Sequence, residues 1–212
     1  MRWITLRGAF RPGRVTRWDD PVLQGLASGL VDDDDDEDQS ASVVLSIAKL
    51  ALGNDLEALV ACVADSPVPA GAFEANPMHS AKKTVAAVEK AQGVSKEAAA
   101  LYLQLLALAE PTEKAVLRWN DWKPKQYDAA VAELAKKKLV VQGKRERAQR
   151  EVFLPGGFGK GAGKNLPMEE WKNQFYAAPL SRHVPVEPVH ALFARAWKLV
   201  EGGEGPRFEK VR

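Results

Sequence analysis

Cys62 is the only cysteine in 212 residues, so the chain can form no internal disulfide, and paired thiolates cannot build a zinc site. Histidines are nearly as scarce. His183 and His190 stand seven positions apart across VPVEPV, where the prolines keep them off a common helix face, and His79 is isolated. No nucleophile, base and orienting group occur together, so no catalytic residue, metal site or cofactor is expected and the chain reads as a non-enzyme. No run of about 18 apolar residues is present, and the basic opening MRWITLRGAFRPGRV lacks the apolar stretch of a secretory signal. The expectation is a cytoplasmic protein that makes no membrane contact.

What is present is ample apolar material, 46% of residues, with charge that is unevenly spread. Met1 to Arg17 carries five arginines and no acid. From Trp18 to Glu113 there are 17 acids and five bases, and Lys114 to Lys164 reverses this with 13 bases and five acids. The net charge of +2 conceals that segregation, which points to a polyanionic partner. Seven consecutive acids, Asp32 to Asp38, repel one another and predict a solvated linker. They lack the glycine turn and spaced ligands of a calcium loop.

Apolar spacing predicts a mainly α protein with a small β-hairpin, read in four parts: an arm and acidic linker over 1–39, a helical region over 40–109, a helix-turn-helix with hairpin over 110–157, and a Gly-rich linker with a helical pair over 158–212. Val43, Val44, Ile47 and Leu50 mark one helix, and Leu56, Leu59, Val60 and Val63 a second, capped by Asp55. A third spans Ser80 to Gln92 and stops at Gly93. Ser95 opens a fourth through LYLQLLALAE, apolar on several sides and therefore the expected centre of the core. Thr112 caps TEKAVLRW, and Pro124 takes the first position of KPKQYDAAVAELAKKK. In that last helix Tyr127, Val131 and Leu134 form a buried stripe, while Lys125, Gln126, Ala129, Glu133 and Lys136 face away from it. LVV, GKRERAQ and REVFLP then read as strand, tip and returning strand.

Helix, turn, helix and hairpin in this order resembles the winged helix-turn-helix superfamily of bacterial DNA-binding proteins, over about Lys96 to Gly157. The resemblance implies double-stranded DNA as partner and a role in transcription regulation, or as another DNA-associated factor, often as a dimer. It puts Lys123, Lys125, Gln126 and Ala129 on the major-groove face, and Lys136 with Lys144, Arg145, Arg147 and Arg150 of the hairpin beside phosphates. Gln126 can pair with adenine, Lys125 with guanine, and Ala129 with a thymine methyl. Where the family commonly has glycine before the first wing strand, this chain has Lys138, at a cost if that position needs positive φ. The same scaffold also serves as a protein-docking module, the alternative reading.

Several features have bland explanations. A Lys-rich helix end is favoured by the helix dipole, and charged hairpin tips protect an edge from pairing. GGFGKGAGKNLP is not a phosphate loop, because Phe158 stands where its first glycine is needed and Asn165 where Ser or Thr is needed. It is expected to be a flexible basic linker. Trp171, Phe175, Leu192, Phe193, Trp197 and Val200 anchor two helices expected from Pro167 and Pro188, packed on the body or, secondarily, on a homodimer partner.

Overall fold

The computed structural model describes residues 17, 19, 21, 53, 68–159, 168–176 and 187–207. The expected N-terminal arm, the acidic run Asp32 to Asp38, the two helices before Ala64, Cys62, His183 and the segment 160–167 lie outside the described residues. The chain divides into two compact units, Met1–Ala64 with Ala178–Val186, and Asp65–Ala177 with Glu187–Arg212. In the first, Arg17 pairs with Asp19 at 2.7 Å.

A helix that is apolar all round must be covered all round. Helices α1 (Pro77–Ser80), α2 (Lys82–Gln92), α3 (Lys96–Ala107), α4 (Glu113–Asn120) and α5 (Pro124–Lys136) lead to α6 (Val189–Glu201), and α1, α2, α5 and α6 pack around α3. Ser95 starts α3 by accepting the Ala98 N–H on its hydroxyl at 3.2 Å, and every residue from Ala98 to Ala107 is buried. Gln104 is the polar exception within that run. Its amide exchanges hydrogen bonds with Asn120 of α4 at 2.9 and 3.1 Å and donates to the Ala75 carbonyl at 2.8 Å. An unpaired buried amide would cost about 1–3 kcal/mol, so this reciprocal pair fixes where α4 can sit.

Local signals set the helix ends. Gly93 closes α2 in the left-handed conformation at φ 60°, and Thr112 caps α4 by accepting the Ala115 N–H at 3.2 Å. Asp121, at φ 53°, ends α4, and Pro124 begins α5, which buries Tyr127, Ala130, Val131 and Leu134. Lys138 adopts φ 58° as the chain leaves α5, the strained geometry expected to matter there. Its N–H donates to the Ala135 carbonyl, and the Leu139 N–H donates to the Leu134 carbonyl at 3.0 Å.

Strands β1 (Val141–Gln142) and β2 (Val152–Phe153) pair antiparallel, with Val141 opposite Phe153. A second antiparallel pair, β3 (Phe158–Gly159) with β4 (Met168–Glu169), is a departure from the expected linker and helix. The helix expected from Pro167 is instead β4 followed by a 3-10 helix over Glu170–Phe175. Packing accounts for the change, because the extended β4 turns the Glu169 carboxylate inward, and the Glu170 carboxylate lies against Gly157. A Cβ at Gly157 would meet that carboxylate, which is the far end of an exposed side chain and can move aside. The helix expected from Pro188 forms as α6.

Phe175, Leu192, Phe193, Ala196 and Trp197 join the same apolar core as α3, α5 and the hairpin residues Val152 and Leu154. The Tyr176 hydroxyl adds a bond to the Ala107 carbonyl at 2.6 Å. The result is a mainly helical fold with two small two-stranded sheets. Among the described residues no helix is long and apolar enough to cross a membrane.

The Lys138 geometry yields a stability test. Lys138→Gly is expected to exceed Lys138→Ala in unfolding free energy by about 1 kcal/mol, since glycine escapes the left-handed penalty but is more flexible when unfolded. Urea unfolding of the two variants measures the difference.

Candidate functional site

The outward side of α5 is small in its middle and cationic at its ends. Lys125, Ala129, Ala132 and Lys136 follow one another at four-, three- and four-residue steps, and all four are exposed. Lys123, just before the helix, is exposed as well, as are Lys137 and Lys138 after it. Two residues expected on this face have other duties. Gln126 is exposed, but its carbonyl oxygen accepts the Lys123 N–H at 3.0 Å, closing the start of the helix. Glu133 is half-buried and accepts hydrogen bonds from the Ser95 N–H, at 2.8 Å, and from the Ser95 hydroxyl. It places a carboxylate at the positive end of α3, where the helix dipole favours one.

The hairpin cations divide into different environments. Lys144 is exposed, 3.6 Å from the Glu151 carboxylate. Arg145 is half-buried, its guanidinium 4.3 Å from the Phe158 ring centre and 4.8 Å from that of Phe153. Those rings meet edge to face at 5.1 Å. Arg147 is exposed at φ 61°. Arg150 is not at the surface: its side chain is 2% exposed and reaches Glu169 at 2.7 Å, correcting its expected place beside phosphates. The physical reason is its position two residues before Val152, which sends it inward with the apolar residues of the returning strand.

Around Glu169 the interior is strongly charged. Lys172 is wholly buried, 2.9 Å from Glu169, and donates to the Leu108 carbonyl at 2.8 Å. The other Glu169 oxygen accepts the Leu154 N–H at 3.2 Å. Burial alone would raise the Glu169 carboxyl, but Lys172 and Arg150 outweigh it and bring its pKa down to about 2. Burial brings the Lys172 ammonium down to about 8, with Glu169 acting against that fall. The Arg150 guanidinium also lies 5.1 Å from the centre of the Phe153 ring. Two cations thus share one carboxylate, linking the hairpin to β4 and the 3-10 helix.

Sequence reasoning passed over Glu169 and Lys172. Their three-residue spacing in MEEWK carries a weak signal, since Glu170 beside them is equally acidic and lies outside. Among the described residues no group of three or more His, Cys, Asp or Glu side chains is placed to hold a metal. No family model, curated protein or solved structure matches the chain. What fold and site define is therefore a class by geometry, a mainly helical protein with an exposed lysine-tipped helix face beside a hairpin anchored by buried ion pairs.

The buried cluster makes stability acid-sensitive. The Glu169 carboxyl titrates at about 2 when folded and near 4.5 when unfolded, so its contribution is complete above pH 4.5 and is lost as pH falls towards 2. Glu169→Gln should remove that limb of the stability profile and lower stability at pH 7 by about 3–5 kcal/mol, because two buried cations lose their counter-charge. Denaturant unfolding between pH 2 and 7 reads both effects.

Proposed function

We propose that the protein is a non-catalytic binder of double-stranded DNA, of the winged-helix kind, in which α5 enters the major groove and the β1–β2 hairpin lies beside the phosphates. The observation that carries this reading is the exposed stripe from Lys125 through Ala129 and Ala132 to Lys136. At 1.5 Å of rise per residue its lysines stand about 16 Å apart along the axis. A major groove is about 12 Å wide, so the two cations reach phosphates on its flanks while the alanines let the helix backbone approach the bases. Lys123 and Lys144 extend the cationic surface, with Arg147 on the hairpin.

Base reading through this face is limited. Gln126 has its carbonyl committed to the Lys123 N–H, leaving only its N–H₂ group for a base, and Ala129 can meet a thymine methyl. Binding therefore rests on phosphate contacts, which position a protein without reading sequence. Such a protein suits a transcriptional regulator or another DNA-associated factor in the cytoplasm, acting alone or as a dimer. Arg145 and Arg150, occupied by rings and by Glu169, reduce the hairpin charge free for phosphates, and a docking module for an acidic protein on the exposed lysines is the second reading.

Fluorescence anisotropy with short duplexes across a salt series tests the reading. Each phosphate contact contributes about 0.9 to the slope of log K against log salt, so changing both Lys125 and Lys136 to Ala should make the slope shallower by about 1.8. Arg150→Met should leave the slope unchanged. Absence of binding at low salt sinks the proposal and favours the docking module.

A further inference from the structure

Where α5 meets the hairpin, Glu113, Tyr127, Asp128, Gln142 and Glu151 line a cleft of about 100 Å³. Val131 and Val152 form its apolar wall. Tyr127 is only 5% exposed, yet its hydroxyl has no hydrogen-bond partner. A buried hydroxyl in that condition is unfavourable, and native interiors rarely leave one so. Burial first, then the Glu113 carboxylate, hold the phenol well above its ordinary range, with Arg150 opposing them and Asp128 and Glu151 adding to the rise. The hydroxyl is thus a neutral group facing three carboxylates.

The surroundings specify what could complete it. Three carboxylates and an amide carbonyl are acceptors, so the complementary ligand is a cation rich in donors. Lys144 approaches Glu151, but Glu113 and Asp128 have no ion pair among the described residues. The acids are not grouped closely enough for a metal ion. Acceptors spread around a small cleft instead suit the planar guanidinium, which offers five N–H donors in a fixed fork and is weakly hydrated.

We propose that this cleft binds a guanidinium group, with the Glu113, Asp128 and Glu151 carboxylates neutralising it and the Tyr127 hydroxyl accepting one of its N–H bonds. The alkyl substituent lies against Val131 and Val152. This site lies on the hairpin edge of α5 rather than on the Lys125 to Lys136 stripe, and it meets the DNA reading only at Lys144, which approaches Glu151.

An NMR titration of the full chain with methylguanidinium chloride tests it, with tetramethylammonium chloride at equal ionic strength as a cation without N–H donors. Saturable shifts at the Tyr127, Gln142 and Glu151 amides are expected from methylguanidinium alone. Tyr127→Phe and Asp128→Asn should each weaken binding about tenfold, the size expected for one hydrogen bond to a charged group, while the α3 amides keep their parent positions. Linear shifts without saturation, an equal response to tetramethylammonium, or unchanged affinity in both variants would overturn the proposal. The source of the group is read by comparing free arginine with amide-capped arginine. Tighter binding of the capped form assigns a protein side chain, and tighter binding of the free form a small molecule.

Discussion

Arg150 and Lys172 share the Glu169 carboxylate in the buried interior, and the tie between two separate pieces of chain depends on that sharing. Arg150 comes from the hairpin, Glu169 from β4, and Lys172 from the 3-10 helix that runs toward the core aromatics. Desolvating such charges costs several kcal/mol per ion, and a second contact at each group offsets part of it, although Arg150 Nε and Nη1 are buried without a hydrogen-bond partner. Glu169 also accepts from Leu154, Lys172 also donates to Leu108, and Arg150 lies over Phe153. The hairpin is thereby part of the body, while α5 keeps its outer face clear.

That division of labour determines the surface. Had Arg150 pointed outward, the hairpin would carry its cations at the tip and along the returning strand. With Arg150 inside and Arg145 laid over two rings, the exposed positive charge shifts toward α5 and its flanks. The position of α5 is set by equally specific means. Its buried stripe packs on α3, and Glu133 grips the start of α3 through Ser95. An apolar interface alone would leave some freedom to slide along the helix axis, whereas this carboxylate-to-cap contact fixes the register.

Much of the helical layout is legible from local chemistry. Ser95, Thr112, Pro124 and Gly93 mark helix ends because their caps and dihedral preferences act within one turn. The all-round apolar run LYLQLLALAE identifies the central helix for a similar reason. The β3–β4 pair was not legible, since Phe158–Gly159 and Met168–Glu169 meet across an intervening segment and neither has a strand-like run. In the functional region, the outer stripe of α5 follows from helical periodicity, but the fate of Arg150 depended on a partner 19 residues away. Alternation with Val152 and Leu154 was the available hint. Phe153 obscured it, because it too is buried and the strand lacks a clean polar face.

If the Glu169 cluster joins the hairpin to the helical core, the two open as one cooperative unit. Native-state hydrogen exchange of the Leu154 amide, bonded to Glu169, compared with the Leu103 and Leu105 amides of α3, tests this most directly. One common opening free energy is expected for all three. Leu154 exchanging through a much less costly local opening, while Leu103 and Leu105 stay protected, would contradict it.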